Sequence, residues 1–402
     1  MSKDNLVPEL RFPEFANKAN WELKPFSKFI KLYRGSSPRP IREYLTNSDL
    51  GVNWIKIGDT STIADYVIRS VSEKITPEGA KKSRSVKKGE LILANSMSYG
   101  STYLLEVEGC IYDGWFVLRE YEDYFDKQFL LQLLNSEYTQ SQYKKFAAGG
   151  IVQNISSEIV YNIKLPKTSK EEQQKIATCL SSLDELIAAH KDKLETLKDH
   201  KKGLLQNLFP QEGETVPKVR FPKFKGDGEW KLKQLEHVSK ITTGNKDTQD
   251  KIDNGEYPFF VRSQTIERIN SFSFDCEAFL TSGDGVGVGK IYHYIVGKFD
   301  FHQRVYCIYD FEKDVDGKFI FYFFSEHFYE RVMRMSAKNS VDSVRRAMVT
   351  EMPISIPPTK KEQQKIASTL TAVDELISAQ EDKIDQLIDH KKGLMQGLFP
   401  KT

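Results

Sequence analysis

The sequence predicts an α+β protein: two globular domains in a pseudo-two-fold arrangement, separated by two long helices that form an antiparallel coiled coil. Three observations carry this. The stretch DHKKGLLQNLFP at 199–210 returns as DHKKGLMQGLFP at 389–400. Upstream of both copies, apolar residues recur at alternating spacings of four and three. Ahead of each copy, strand-like runs, glycine-bearing turns and aromatic helical runs follow one another in the same order. The expected organisation is a first domain at 1–165, a central spacer helix at 166–210, a second domain at 211–356 and a C-terminal spacer helix at 357–402.

A chain of 402 residues suits two or three domains rather than one. Its 39% hydrophobic and 28% charged residues fit a globular fold with surplus surface charge. A net charge of +2 neither demands nor excludes a nucleic-acid partner, so the local distribution of charge has to decide. The start, MSKDNLVPEL, lacks a signal-peptide core, and no apolar run is long enough to span a membrane. Cys110, Cys179, Cys276 and Cys307 form no paired spacing, which predicts free thiols, a cytoplasmic location and no zinc or other metal site.

Each half begins with a lead segment. PELRFPEFANKANWELKPFSKFIKLYRG at 8–35 and PKVRFPKFKGDGEWKLKQLEHVSKITTG at 217–244 share the Pro, Arg-Phe-Pro, Phe, Trp and final Gly in register. The bodies that follow, roughly 36–165 and 245–356, diverge but keep a rhythm. WIKIGD at 54–59 and YPFFVRSQ at 257–264 read as strands with polar tips. LILANSMSYGSTYLLEVEG at 91–109 and FLTSGDGVGVGKIYHYIVGK at 279–298 read as strand pairs around a glycine-bearing turn. The runs 124–146 and 319–335 read as aromatic-rich helices, and a short β-like segment ending in proline precedes each long helix.

The long helices match at 25 of 40 positions between 171–210 and 361–400. The first sets Ile176, Leu180, Leu183, Ile187, Leu194, Leu197, Leu204 and Leu208 on one seam, with His190 and Lys201 in the gaps. The second sets Ile366, Leu370, Val373, Ile377, Ile384, Leu387, Leu394 and Leu398 there, with Gln380 and Lys391 in the gaps. A sustained 3.5-residue period keeps one stripe facing a mate, the coiled-coil requirement. Ser169-x-x-Glu172 and Thr359-x-x-Glu362 read as capping boxes, and Pro210 and Pro400 mark the stops. About 38 residues give a rod of roughly 57 Å. Antiparallel pairing would send the bodies to opposite ends; parallel pairing, or each helix packing on its own body, is the competing arrangement. Gly203 and Gly393 lie inside these helices and signal either close approach of a partner or a merely tolerated glycine.

No catalytic constellation emerges. SGDGVGVGK at 282–290 fails the phosphate-loop spacing, with Asp284 where Gly is needed and Ile291 where Ser or Thr is needed. It fails the dinucleotide pattern as well and reads as a turn between strands. No G-x-S-x-G elbow and no H-E-x-x-H occurs, nor the Asn-Pro-Pro-Tyr or Asp-Pro-Pro-Tyr with which amino-methyltransferases hold a flipped base. Positive charge, in contrast, is concentrated. KKSRSVKK at 81–88 has five cations and no acid, Lys144 and Lys145 precede a Gly-rich stretch, and Arg331, Arg334, Lys338, Arg345 and Arg346 are interrupted only by Asp342. Lys and Arg neutralise phosphates, while Arg, Asn and Gln read base edges bidentately.

The LRFPEF…W lead segment, divergent body and EQQKIA…LFP helix, all repeated, resemble the specificity subunit of type I restriction–modification systems. The resemblance spans essentially the whole chain, and its most specific part is the repeated helix. It implies a non-catalytic subunit whose two bodies are target-recognition domains, each reading half of a split, asymmetric double-stranded DNA site. It implies that the paired helices set the gap between the halves and dock two methylation subunits, with two restriction subunits completing the complex. S-adenosylmethionine, ATP and Mg are then expected on those partners and no cofactor on this chain. A rod of roughly 57 Å accommodates two heads on successive major grooves about 34 Å apart.

Candidate DNA contacts are Lys81, Lys82, Arg84, Asn95, Ser96, Tyr99, Lys144, Lys145 and Gln153 in the first body. In the second they are Arg262, Gln264, Lys290, Gln303, Arg304, Lys338, Asn339, Arg345 and Arg346, with Arg262, Arg304 and Arg345 the first choices for bases. The partner-docking candidates are Gln173, Gln174, Asp184, Glu185, His200 and Lys201, with Gln363, Gln364, Asp374, Glu375, His390 and Lys391 as equivalents. The competing readings are a coiled-coil scaffold without sequence-specific DNA binding and a methyltransferase with an unrecognised site.

Overall fold

A computed structural model describes the chain except residues 1–5, 62, 64, 97–99, 148–154, 286, 337–342 and 401–402. The chain divides into two compact units, Met1–Lys191 with Asp382–Thr402, and Asp192–Glu381. Each unit holds the start of one long helix and the end of the other.

In the first unit, a five-stranded sheet runs in the order Lys31–Arg34, Trp115–Arg119, Leu91–Ala94, Thr102–Leu105 and Val67–Ile68. A second runs Leu45–Thr46, Glu73–Ile75, Val52–Ile55, Gly109–Ile111 and Arg84–Val86. Leu91–Ala94 is buried along its whole length, as its unbroken apolar run requires of a strand covered on both faces. The predicted aromatic run forms two helices, Lys127–Asn135 and Glu137–Ala147, because Ser136 turns extended at ψ 155° and its hydroxyl takes up the Leu133 carbonyl. Phe129, Leu130, Leu133 and Leu134 pack on Phe26, Leu91, Leu93 and Leu118 as the main core.

The second unit keeps the same spine in one six-stranded sheet: Lys240–Thr243, Val305–Tyr309, Phe274–Ser282, Tyr292–Phe301, Tyr257–Phe260 and Glu267–Ile269. Tyr292–Phe301 does alone what Thr102–Leu105 and Gly109–Ile111 do together. It pairs antiparallel with Phe274–Ser282 and, at its end, parallel with Tyr257–Phe260. The aromatic run here stays one helix, Gly317–Met335, started by the Asp316 carboxylate accepting from the Phe319 N–H at 2.9 Å. Phe319, Phe323, Phe324 and Phe328 bury against Phe279 and Trp230.

The lead segments close each unit identically. Glu22–Pro25 pairs antiparallel with Lys164–Lys167, and Lys231–Gln234 with Pro353–Ile356. Both segments end on a glycine forced by close approach. A Cβ on Gly35 would lie 1.9 Å from the Tyr112 carbonyl oxygen, and one on Gly244 2.0 Å from that of Phe301. That is why this letter recurs in register.

The long helices span Lys170–Leu208 and Lys360–Leu398, 39 residues each. Every seam position is buried or half-buried, including His190, Lys201, Gln380 and Lys391. Pairing is antiparallel within each unit. In the second, Lys198 reaches Glu381 at 3.2 Å and Lys201 reaches Asp374 at 2.6 Å, so an advance along one helix matches a retreat along the other. In the first, Lys391 reaches Asp184 at 2.6 Å, and Ile176 and Leu180 share a core with Leu398 and Phe399. The repeated Leu-Phe-Pro ending thus has a structural purpose. Phe399 is 2% exposed against Phe129, and Phe209 is fully buried against Phe319 and Phe323.

The capping boxes form by half. Glu172 N–H donates to the Ser169 hydroxyl at 3.3 Å and Glu362 N–H to that of Thr359 at 3.4 Å. Their carboxylates turn instead to Arg11 and Arg220 of the Arg-Phe-Pro motifs, a stronger charge-assisted partner than a backbone amide. Within this chain nothing approaches Gly203 or Gly393 closely: a Cβ at either meets nothing within 4 Å.

Candidate nucleic-acid interface

In the second unit three chain segments converge on one turn. The glycine-rich stretch between Phe274–Ser282 and Tyr292–Phe301 is the predicted turn, with Gly285 and Gly289 at φ 84° and 68° supplying its left-handed positions. Asp284 lies on it, bridged to Ser343, and the Val344 N–H donates to the Gly283 carbonyl at 2.7 Å. This brings the exposed Arg345 and Arg346 beside the turn. Arg262, just beyond the strand Tyr257–Phe260, donates from Nη1 to Asp284 Oδ1 at 3.0 Å. Arg304, on the turn before Val305–Tyr309, sets its Nε 3.8 Å from Asp284 Oδ2. One carboxylate thus faces two exposed guanidiniums, a locally cationic tip.

His302 supports that tip from below. It is 2% exposed, its Nδ1 accepts the Arg304 N–H at 2.9 Å, and its Nε2 lies 4.0 Å from Asp247. Burial, with Arg262 adding to it, holds its pKa below the ordinary histidine value. Gln303 donates to Asp247 at 3.0 Å; Gln264 is exposed; Lys290 is exposed above the Tyr329 ring at 5.2 Å. Lys338 and Asn339 lie outside the described residues.

The first unit builds a different tip on the same spine. Lys81 and Lys82 end the helix turn Pro77–Lys81, and Lys82 Nζ donates to the Tyr44 hydroxyl at 2.6 Å. Arg84 donates to the Arg34 carbonyl at 3.2 Å and lies over the Tyr33 ring. The Ser36 hydroxyl donates to the Lys82 carbonyl at 3.3 Å, so the predicted basic run meets the loop carrying Arg34, Arg39 and Arg42. Asp113 sits among them. Its carboxyl lies below the ordinary range because the Ser37 hydroxyl donates to it and, more weakly, because Arg39 and Arg34 are near.

Three first-body candidates need correction or fall outside. Asn95 is 3% exposed, and its amide donates to the Asp113 carbonyl at 2.9 Å, so it shapes the turn and presents nothing to a groove. Tyr99 and Gln153 lie outside the described residues. Ser96 is half-buried, and Lys144 and Lys145 are exposed on the helix Glu137–Ala147. Among the described residues neither lysine shares a hydrogen bond or ion pair with the arginine group.

Of the helix-flank candidates, half are spent inside the chain. Gln173 is fully buried, accepting from the Asp126 N–H at 2.7 Å and donating to the Tyr124 and Thr168 carbonyls. Gln363 repeats this with Asp316 and Asp314. Asp184 binds Lys391 and the Gln132 amide; Asp374 binds Lys201 and the Tyr322 hydroxyl. These six hold the helices and bodies together, because an acid and a lysine at matching heights of an antiparallel pair find each other first. Gln174, Glu185, His200, Gln364, Glu375 and His390 are exposed.

Residues 19–199 and 227–389 each match the model of the family described as type I restriction modification DNA specificity domain. The chain belongs to this family. It is a specificity subunit with two target-recognition domains. It is 25% identical over 416 aligned residues to the MjaVIII specificity subunit of Methanocaldococcus jannaschii, covering 97% of this chain and 93% of that protein. To the EcoDI specificity subunit of Escherichia coli it is 28% identical over 163 residues, 40% of this chain and 35% of that one. In fold it resembles the S subunit from M. genitalium, with TM-score 0.65 at 14% identity over 99% of this chain and all of that one. It also resembles a chain from a study of complex assembly and conformational transition in the type I R–M system, with TM-score 0.59 at 16% identity over 94% and 97%.

Several residues of this specificity subunit's tips escape a sequence reading. Asp284 and Asp113 are acids and look like interruptions of a basic patch rather than parts of it. Arg34, Arg39 and Arg42 had a usable signal: RGSSPRPIR opens on the last residues of the lead segment and carries three arginines and no acid. His302 had none, since its burial follows from the parallel pairing of distant strands. Among the described residues no His, Cys, Asp and Glu group could hold a metal, and no helix is long and apolar enough to cross a membrane.

Proposed function

We propose that each target-recognition domain reads one half of a bipartite, asymmetric duplex site, and that the paired helices fix the number of unread base pairs between the halves. The observation that carries this reading is one spine with two different tips. Lead segment, strand order and helix contacts repeat, while the cationic groups that crown them do not: Arg262, Arg304 and Asp284 in one body, Arg34, Arg84, Lys82 and Asp113 in the other. Like scaffolds with unlike tips suit unlike half-sites, whereas identical tips would require a palindrome. Phosphate neutralisation falls to the flanking Lys81, Lys144, Lys145, Lys290 and Arg346, and base reading to the arginines nearest the turns.

The chain acts without a catalytic site of its own. Two methylation subunits dock on the exposed helix flanks around Gln174, Glu185, His200, Gln364, Glu375 and His390, and two restriction subunits complete the assembly. S-adenosylmethionine, ATP and Mg are bound by those partners. The deciding experiment lengthens both helices by one heptad and maps methylated sites in cells carrying the variant with its partner subunits. The expected result is a wider gap between half-sites whose letters do not change. Altered letters, or an unchanged gap, would remove the spacer reading.

A further inference from the structure

Within the cationic tip of the second domain, the two arginines are not equivalent. Arg262 spends Nη1 on Asp284 at 3.0 Å with its side chain 44% exposed. The Nε of Arg304 lies 3.8 Å from Asp284 Oδ2, beyond hydrogen-bond distance, and the side chain is 65% exposed. Its two terminal nitrogens have no hydrogen-bond partner among the described residues. Asp284 is itself held. Its side chain is 22% exposed, its backbone is bridged to Ser343, and its carbonyl accepts the Ser282 hydroxyl at 2.8 Å.

An unaccompanied arginine on a DNA-facing loop is drawn to the nearest phosphate, which carries no sequence information. A fixed carboxylate beside it changes the outcome. Asp284 repels the phosphate backbone and restrains the guanidinium from one side, so the open fork is left for base edges. A planar fork with two parallel donors matches the O6 and N7 acceptors of guanine in the major groove and no other base edge there. Arg262, bonded to the same carboxylate, keeps the group net cationic and anchors Asp284.

We propose that Arg304 reads a guanine in the second domain's half-site, and that Asp284 is the positioning residue that aims it. This rests on the DNA reading of that domain given above, and it adds one letter and one residue that composition alone does not supply.

The test uses the complex assembled with its methylation subunits, bound to duplexes that carry each base in turn at every half-site position. The wild type is expected to demand guanine at one position of one half-site. Arg304→Ala should weaken that demand by about 5- to 150-fold, the worth of one bidentate pair. Arg304→Lys should retain affinity but lose part of the discrimination, since a flexible ammonium lacks the rigid planar fork that fixes both donors on the guanine acceptors. Asp284→Asn should relax the same position and, by releasing Arg304 to a phosphate, steepen the salt dependence of binding, leaving the other half-site unchanged. Arg304 is exposed, so its variants keep the fold and decide the matter even if Asp284→Asn does not. Guanine preference that survives in Arg304→Ala overturns the assignment of Arg304. A uniform loss across all sequences in Asp284→Asn overturns the positioning role. If the wild-type complex shows no base preference at any position, the DNA reading itself falls, and this assignment with it.

Discussion

The guanidinium of Arg11 grips the carboxylate of Glu172, 161 residues along the chain, with hydrogen bonds of 2.7 and 2.9 Å. The second unit repeats the grip between Arg220 and Glu362 at 2.7 and 2.8 Å. Both pairs are buried, with side-chain exposures of 7% and 1% in the first. The Arg-Phe-Pro of each lead segment is thereby tied to the first turn of the long helix that leaves the same body. A carboxylate there also meets the positive end of the helix dipole. Long helices that must keep one orientation on a globular head need such a root, and the sequence repeats it with the rest of the lead segment.

Removing Arg11 leaves a buried, uncompensated charge on Glu172, to which only the Trp21 Nε1–H and the Thr168 hydroxyl would still donate. Arg11→Ala is therefore expected to cost about 3–5 kcal/mol, while a double Arg11→Met, Glu172→Met variant recovers most of it. Chemical denaturation of the three chains checks this. A loss under about 1 kcal/mol for Arg11→Ala would mean that the pair is solvated in solution and does not root the helix.

The second unit should weaken in mild acid. His293 is 7% exposed with Nε2 at 3.0 Å from the Ser263 carbonyl, and burial lowers its pKa more than that bond raises it. His302 is lowered too, by burial first and then by Arg262, against opposing pulls from Asp247 and Asp284. Both are neutral in the fold, whereas unfolded histidine takes a proton near pH ~6.5. Below that pH the unfolded state binds more protons, so stability is full above about 6.5 and falls as pH drops toward the folded values. Denaturation midpoints at pH 7.5 and 5.5 should differ, and His293→Gln should shrink the difference. An equal acid loss in that variant would assign the effect to other groups.

How much of this was legible beforehand depends on the range of the interaction. The seam of the long helices was readable to the residue, because a 3.5-residue period is written in consecutive turns and needs no distant partner. The strand pairs around glycine turns were readable for the same reason. The break at Ser136 was not: the run 124–146 has helical character throughout, and only packing against distant strands selects two helices over one. Gln173 and Gln363 misled because a glutamine on a charged helix looks like surface, while its burial comes from loops at 124–126 and 314–316 that only the fold delivers. Glu172 misled in a subtler way. Its capping motif is real, but an arginine far upstream outcompetes the backbone amide for its carboxylate. Asp284 stayed invisible because its worth lies in three segments meeting at one turn.

The two helix glycines give the sharpest contrast with those that the fold requires. A Cβ at Gly203 or Gly393 meets open space, whereas at Gly244 it would press within 2.0 Å of the Phe301 carbonyl oxygen. Alanine in a helix interior is worth about 1 kcal/mol over glycine. Gly203→Ala and Gly393→Ala should therefore each stabilise the isolated chain by up to about that amount, and Gly244→Ala should destabilise it. Thermal unfolding of the three variants measures both signs. If the helix variants gain stability alone yet fail to assemble with methylation subunits, a partner backbone lies against those positions, and the glycines are kept for it. If they lose stability alone, the helices pack more tightly there than their open surroundings indicate.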